Sequence, residues 1–301
     1  MKNNNLFKYL CCVLSCLTLG ARAQSIDQNY IVTQLSNDEN NNTHQDNINY
    51  YDDLGRLQES VLVGDNTHKD IISLQEYDIF GRKSKSWLPG SCSLGNNGKF
   101  VDPNQLKLLS IDSNKDEEPF SYSIYENSPL DSVLCKFGPG IDWHNKNKAI
   151  NMSYLTNNND VNNQVIRFTY TPSSWQAGIY NITNSGYYAQ GVLNLTEVND
   201  EDGHRTYLFR NMFGQIILKR CQIDDSFADT YYVYDYMNHI IAILPPLAVD
   251  NIFVKGMTKN CSSDLGKYAY VYNYDYRGRL IENKIPGAEP SIFWFDNSDN
   301  S

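Results

Sequence analysis

The chain contains 301 residues and has a formal charge of −10 at pH 7, with 25 basic against 35 acidic side chains. Because an acidic surface repels phosphate, this charge excludes a nucleic-acid partner and disfavours anionic lipid. The chain is rich in asparagine and contains 22 tyrosines, residue types that favour turns and strands respectively. The composition therefore predicts an all-β protein with many turns.

Residues 1–23 have the pattern of a secretory signal peptide. Two lysines precede the apolar stretch 9–19, and residues 21–23 supply an Ala-x-Ala cleavage site. That stretch is shorter than the roughly 20 apolar residues that cross a bilayer. We therefore expect an exported chain that begins at Gln24 and resides in the periplasm, at the cell surface or in the medium. The alternative is a lipoprotein signal with lipid attached at Cys16.

The remaining chain divides into three expected segments. Residues 24–47 are polar, and we interpret them as an exposed leader or loop. Residues 48–165 are expected to form an N-terminal domain of unknown function. Within it, residues 104–111 follow a proline with a helical pattern, and residues 119–143 contain a strand pair that ends at Gly-Pro-Gly. Residues 166–301 alternate like strands and predict a sheet region.

A six-residue motif, Tyr-Asp-x-x-Gly-Arg, recurs along the chain. The full copies occupy residues 51–56, 77–82 and 274–279. Degenerate copies occupy residues 210–215, 234–239 and 295–300. Three full copies in a chain of this length are not expected by chance, so the recurrence predicts a repeated structural unit.

The residue types at two motif positions indicate the tip of a β-hairpin. Position five is Gly, Asn or Asp, the residues that most readily adopt positive φ. Position two is Asp or Asn, whose side chain accepts hydrogen bonds from N–H groups two residues on. A type I turn closed by a left-handed residue joins hairpin strands in this way. The predicted turn residues are Tyr51, Asp52, Gly55, Arg56, Tyr77, Asp78, Gly81, Arg82, Gly214, Tyr234, Asp235, Asn238, Tyr274, Asp275, Gly278 and Arg279.

A proline follows three of the copies at a nearly constant distance. The three dipeptides are Leu88-Pro89, Leu244-Pro245 and Ile285-Pro286. Because proline cannot donate to a ladder, these positions predict the ends of return strands of about six or seven residues.

The sequence has no pattern typical of an enzyme, a metal site or a cofactor site. The five histidines share no metal-ligand spacing, and no nucleophile-elbow, zinc-protease or phosphate-loop motif occurs. After signal removal four cysteines remain, Cys92, Cys135, Cys221 and Cys261, and both disulfides and buried thiols are compatible with them. We expect no catalytic, cofactor-binding or metal-binding residues and no cofactor.

The motif copies resemble the YD repeats of the Rhs and teneurin proteins. The segments SPLDSVLCKFGPGIDW (128–143) and YNYDYRGRLIENKIPGAE (272–289) also resemble the N-terminal region of bacterial Rhs repeat-associated proteins, which opens with a domain of unknown function. The resemblance implies that the hairpins join into one spiralling sheet, a hollow shell that encloses a C-terminal toxic or variable domain. This sequence departs from that pattern because it contains neither a self-cleaving core segment nor such a cargo.

The expected function is that of an exported, non-enzymatic structural protein, the N-terminal part of an incomplete Rhs-type shell. The alternative is a stand-alone exported module that binds a glycan or a cell-surface protein through its tyrosines. Residues 291–296 are apolar and strand-prone, and we expect them to form an open sheet edge that recruits further strands. The expected partner at that edge is a downstream core or toxin polypeptide, or a second copy.

Overall fold

The computed structural model describes residues 25, 27–36, 44–64, 68–92, 96–160, 162–172, 180–250 and 267–293. The chain folds as two compact units, Met1–Lys148 and Ala149–Ser301. This division precedes the predicted boundary after residue 165, because residues 149–156 pair with a strand of the second unit. The described residues are mostly antiparallel β-sheet, so the predicted all-β class is confirmed.

The first unit consists of strands and two helices within its described residues. The strands are β1 (Asn29–Ser36), β2 (His44–Tyr51), β3 (Leu57–Leu62), β4 (Ile71–Tyr77), β5 (Lys83–Trp87), β6 (Gly90–Ser91), β7 (Phe120–Tyr125) and β8 (Val133–Phe137). The helices are α1 (Pro103–Asn114) and α2 (Ile141–Asn145). The predicted strand pair in residues 119–143 is β7 and β8, which pair antiparallel, and Gly-Pro-Gly follows the second of them.

Strands β1 to β4 form an antiparallel ladder in chain order, and β4 also pairs with β5 and β6. Alternate residues of the central strands face one core, as the period of a half-buried strand requires. Ile48, Val61 and Ile72 are register partners in one row of this core. Tyr50, Glu59 and Leu74 form the neighbouring row, so a carboxyl group lies among apolar side chains.

The interpretation of residues 24–47 as a leader or loop is wrong for the part that the structure describes. Residues 29–36 form β1 and pair along their full length with β2, which begins at residue 44. The ring of Tyr30 packs against Tyr50, with centroids 5.7 Å apart. The polar residues on either side obscured this strand, although its own residues include Tyr30, Ile31, Val32 and Leu35, which favour a strand or are apolar.

Helix α1 begins with residues that favour an N-terminus and ends at a left-handed residue. The side chain of Asp102 accepts a hydrogen bond of 2.9 Å from the N–H of Asn104, and Pro103 takes the first helical position. Lys115 closes the helix in the left-handed conformation. The helix packs on the core through Leu106, and it contains the predicted helical segment 104–111.

The second unit contains eleven strands and one short helix within its described residues. The strands are β9 (Ala149–Thr156), β10 (Ile166–Pro172), β11 (Tyr180–Tyr187), β12 (Asn194–Asn199), β13 (Arg205–Arg210), β14 (Ile216–Ile223), β15 (Ser226–Tyr234), β16 (Ile240–Leu244), β17 (Tyr270–Tyr274), β18 (Leu280–Lys284) and β19 (Ser291–Ile292). The helix is α3 (Pro246–Ala248). Strand β9 pairs with β12, and from β12 to β19 each strand pairs with the next.

One row of register partners crosses five strands of the second unit and forms the centre of its core. Each member of the row is at most 1% exposed. The row consists of Leu195, Phe209, Leu218, Tyr231 and Leu244. Burying each such side chain contributes about 1.5–3 kcal/mol, so this row is a main source of stability.

Strands β10 and β11 form a separate hairpin that packs on this row. The ring of Phe168 lies edge-on to the ring of Tyr231, with centroids 4.9 Å apart. The hydroxyl of Tyr231 also accepts a hydrogen bond of 3.3 Å from the N–H of Ile166. The hairpin therefore covers the apolar face of the sheet.

The predicted strand ends agree with the structure, although the strands are shorter than expected. Strands β5, β16 and β18 are five residues long, and each ends within one residue of the Leu-Pro or Ile-Pro dipeptide. Of the predicted edge, residues 291–292 pair with β18 as β19. Residues 294–296 lie outside the described part of the chain.

Three of the four mature cysteines lie in the described residues. Cys92, Cys135 and Cys221 form no disulfide with one another, and Cys261 lies outside those residues. The signal-peptide pattern, Cys16 and the motif copy at 295–300 also lie outside them. Among the described helices, none has the length and apolar character to cross a membrane.

Candidate functional site: the hairpin tips

The first motif copy forms a turn that one aspartate holds closed. One carboxylate oxygen of Asp52 accepts hydrogen bonds from the N–H groups of Leu54 (3.0 Å) and Arg56 (2.9 Å). The other oxygen accepts a bond of 2.8 Å from the guanidinium of Arg56. Gly55 has a φ of +74°, the left-handed conformation that position five was expected to need. The hydrogen bond from the N–H of Arg56 lowers the pKa of Asp52, and the bond from the guanidinium lowers it further. Burial acts in the opposite direction, and the net result is a pKa below the ordinary value.

The other full copies repeat this geometry. Asp78 accepts bonds from the N–H of Arg82 (2.9 Å) and from its guanidinium (2.7 Å), and Asp275 does the same with Arg279 (2.9 and 2.8 Å). Gly81 and Gly278 have φ values of +84° and +77°. Strands flank each copy, so each is the tip of a hairpin.

The degenerate copies keep the turn and change its side chains. Asn211 accepts bonds of 3.0 Å from the N–H groups of Phe213 and Gln215, and Gly214 has a φ of +78°. In the next copy, Asp235 accepts bonds of 2.8 Å from the N–H groups of Met237 and His239. Asn238 takes the left-handed position there, with a φ of +69°.

A further copy of the turn was missed in the sequence. Asp200 accepts bonds from the N–H groups of Asp202 (3.0 Å) and His204 (2.8 Å), and its second oxygen lies 3.0 Å from Nδ1 of His204. Gly203 has a φ of +88°. The Asp-x-x-Gly-His spacing could have identified this turn, but residue 199 is asparagine and the copy lacks the aromatic residue.

The hairpin tips are joined to each other by the tyrosine and the basic residue of the motif. The guanidinium carbon of Arg56, in the first copy, lies 4.5 Å from the ring centroid of Tyr77, in the second. The hydroxyl of Tyr77 donates a hydrogen bond of 2.7 Å to the carbonyl of Leu57, the residue that follows Arg56. A cation over an aromatic face is stabilising, so each copy is fastened to the preceding one.

The same connection recurs along both units. Arg82 lies 4.5 Å over the ring of Tyr125, whose hydroxyl donates to the carbonyl of Lys83 (2.9 Å). His239 stacks on Tyr274 with centroids 4.6 Å apart, and Tyr274 donates to the carbonyl of Ile240 (3.2 Å). Tyr125 was not among the predicted residues, because its hairpin has a longer loop in place of the motif.

Position five contributes to the connection as well. A Cβ atom added to Gly81 would lie 3.0 Å from Nη1 of Arg56, and one added to Gly278 would lie 3.0 Å from Cε1 of His239. Glycine therefore provides both the positive φ and the space that the preceding basic side chain occupies. A Cβ atom added to Gly55 or Gly214 would meet no atom within 4 Å.

This arrangement suits a structural role. The motif carboxylates are engaged by backbone N–H groups and by the basic residue of the same turn, which leaves them poorly placed to act as acids or bases. Within the described ranges, no group of three or more His, Cys, Asp or Glu side chains is placed to hold a metal ion.

Replacing Tyr77 by phenylalanine should lower the free energy of unfolding by about 1 kcal/mol, because the carbonyl of Leu57 loses its donor. The ring under Arg56 is retained. Tyr51→Phe is the matched control, since the hydroxyl of Tyr51 bonds no described residue. Urea unfolding of both variants measures the difference, and equal stabilities would show that the hydroxyl bond between copies contributes nothing.

Known proteins resemble this chain in two ways. Residues 24–156 match the family model described as domain of unknown function DUF6443. None of the curated proteins matches the sequence. Among solved structures, TcdB2-TccC3 without its hypervariable C-terminal region is 13% identical with a TM-score of 0.50, over 96% of this chain and 13% of that chain.

A second structure, the Tc holotoxin pore of Photorhabdus luminescens with a TccC3 mutation, is 12% identical with a TM-score of 0.46, over 88% of this chain and 11% of that chain. This chain thus spans about an eighth of the length of the first structure. The described chain therefore has a fold similar to part of TcdB2-TccC3, and its residues 24–156 resemble DUF6443.

Proposed function

We propose that this protein is a non-enzymatic structural component of an Rhs-type shell. The observation that carries the proposal is the connection between successive tips, in which a basic residue of one hairpin stacks on the tyrosine of the next. Each connection presents a further tip to which another hairpin can be added in the same geometry. The DUF6443 match and the fold likeness to TcdB2-TccC3 support an Rhs-associated protein.

The finer proposal is that this chain forms the N-terminal part of the shell wall. The wall would enclose or present a cargo supplied by a downstream polypeptide or by another subunit. Its support is the order of the motifs in the sequence and the position of β19 at the last described strand of the ladder. An edge strand has unpaired N–H and C=O groups with which an added strand can pair.

We also propose that the chain is exported and cleaved before Gln24. The apolar stretch 9–19 and the cleavage pattern after it support this part of the proposal. N-terminal sequencing of the mature protein checks the cleavage site, and a lipid on Cys16 would favour the lipoprotein alternative.

The shell proposal predicts that the mature chain binds the polypeptide encoded immediately downstream and forms a closed particle with it. We expect co-elution in size-exclusion chromatography with light scattering, and a hollow particle in electron micrographs. The matched variant replaces Ile292, which is 60% exposed in β19, by proline, because proline removes a donor from the edge. Separate elution of the two wild-type proteins, or complex formation unaffected by Ile292→Pro, would contradict the proposal.

A further inference from the structure

The second unit contains a partly open cavity of about 400 Å³ between the β10–β11 hairpin and the tips of two degenerate motif copies. This volume lies within the range of small-molecule sites, about 300–1,000 Å³. The lining includes the buried residues Ile217 and Val233 beside polar side chains. All lining residues belong to the same compact unit.

The cavity occurs where the motif has lost its arginine. In the full copies, Arg56 and Arg82 stand 4.5 Å over the aromatic ring of the next hairpin. The corresponding pair here is Gln215 and Tyr234, and both line the cavity. Tyr234 keeps its own hydroxyl bond to the carbonyl of Ile216 (3.0 Å), so the connection between strands persists while the space above the ring is open.

A second substitution accompanies the first. In the copy at residues 234–239, position five is Asn238, where the full copies have glycine and where Gly81 makes room for the preceding Arg56. The shorter Gln215 leaves that room free, and its side-chain N–H donates to the carbonyl of Asn238 at 3.4 Å. The side-chain amide of Asn238 lines the cavity and bonds no other described residue.

The lining combines aromatic faces with amide and carboxylate groups and contains no Lys, Arg or His among its described residues. Tyr188 and Tyr234 supply partly buried rings, and Phe213 and Tyr236 are 72% and 86% exposed at the mouth. A pyranose has an apolar C–H face that packs on such rings and hydroxyls that pair with amides, which both donate and accept. The absence of basic lining residues disfavours an anionic sugar.

From this geometry we propose that the cavity binds a neutral mono- or disaccharide. The aromatic rings would contact the apolar face of the sugar, and the side-chain amide of Asn238 would bond its hydroxyls. The second N–H of Gln215 would add a donor, since the side-chain carbonyl oxygen of Gln215 already accepts from Asn211 (2.7 Å). This site would be an addition to the structural role, and its failure would leave the shell proposal unaffected.

Saturation-transfer NMR tests the proposal on the full mature chain. The probes are maltose, cellobiose, lactose and N,N′-diacetylchitobiose, with glucuronic acid as the anionic control, each up to about 20 mM to reach weak affinities. We expect transfer to at least one neutral disaccharide and none to glucuronic acid. No transfer to any neutral probe, or stronger transfer to glucuronic acid, would overturn the proposal.

Two pairs of variants locate the binding. The double variant Gln215→Arg/Asn238→Gly restores the arginine of one copy and the glycine of the next, fills the space over Tyr234 and should abolish the signal, whereas Asn238→Gly alone should retain part of it. Tyr236→Ala should weaken binding about 3- to 10-fold, the value of one aromatic contact. Tyr276→Ala is its control, because Tyr276 holds the same motif position, is 71% exposed and lies outside the cavity lining. Equal binding by the double variant and the wild type would place the sugar elsewhere and overturn the proposal.

Discussion

Replacing Glu59 by glutamine is expected to raise the free energy of unfolding at pH 7 to 9 and to leave it almost unchanged near pH 4. Glu59 is 1% exposed, with Tyr50 and Leu74 as its register partners, and burial raises its pKa to about 8. Among the described residues, the N–H of Val101 donates to its carboxyl group, at 3.3–3.4 Å. That bond offsets only part of the cost of burying a charge.

The direction of this stability change follows from the number of protons bound by the folded and the unfolded chain. The unfolded chain releases the Glu59 proton near pH 4.5, whereas the folded chain keeps it until about pH 8. Over that range the folded state binds more protons, so wild-type stability falls with rising pH by about 1.4 kcal/mol per pH unit from this group alone. Glutamine has nearly the same shape and no such titration.

Urea unfolding of the wild type and Glu59→Gln at pH 4, 7 and 9 measures this difference. Glu76→Gln is the contrasting control in the same unit. Burial would raise the pKa of Glu76, but hydrogen bonds from Lys107 (2.5 Å) and Trp87 (2.8 Å) lower it overall. The ionised Glu76 is therefore stabilising above its ordinary pKa, and Glu76→Gln should destabilise there. If the free energies of unfolding of the wild type and Glu59→Gln changed with pH in the same way, Glu59 would ionise normally in the folded state.

Replacing Gly278 by valine should destabilise the second unit by roughly 2–5 kcal/mol. A left-handed conformation costs a residue with a Cβ about 1–2 kcal/mol, and the φ of Gly278 is +77°. The added Cβ would also lie 3.0 Å from Cε1 of His239, whose ring is stacked on Tyr274. Displacing that ring adds the cost of overpacking, about 1–3 kcal/mol.

Gly214→Val is the matched control for the overpacking against His239. Gly214 has the same motif position and nearly the same φ, +78°, but a Cβ atom added there would meet no atom within 4 Å. Both variants bear the cost of the backbone conformation, and only Gly278→Val disturbs the stacked pair. Thermal or urea unfolding should therefore rank Gly278→Val below Gly214→Val, and equal losses would show that the contact with His239 has no energetic weight.

The hairpin tips could be predicted from residue types alone, because every interaction that closes them is local. Asp52 reaches the N–H groups two and four residues on, and Gly55 supplies the left-handed residue between them. Because repeated turns of this kind join antiparallel strands, the all-β fold class was predictable from them. The end of β16 at Leu244 was predictable for another local reason, the proline that follows it.

The connections from one tip to the next depend on the pairing of distant strands and could not be predicted. The bond from Tyr77 to Leu57 spans 20 residues and that from Tyr125 to Lys83 spans 42, and no local pattern specifies which strands become neighbours. Strand β1 was missed for a different reason, because its own residues, NYIVTQLS, favour a strand and only the residues around them are polar. The cavity beside Gln215 is a tertiary feature for the same reason as the connections between tips: a missing guanidinium leaves a space only once the neighbouring hairpin has placed the ring of Tyr234 beside it.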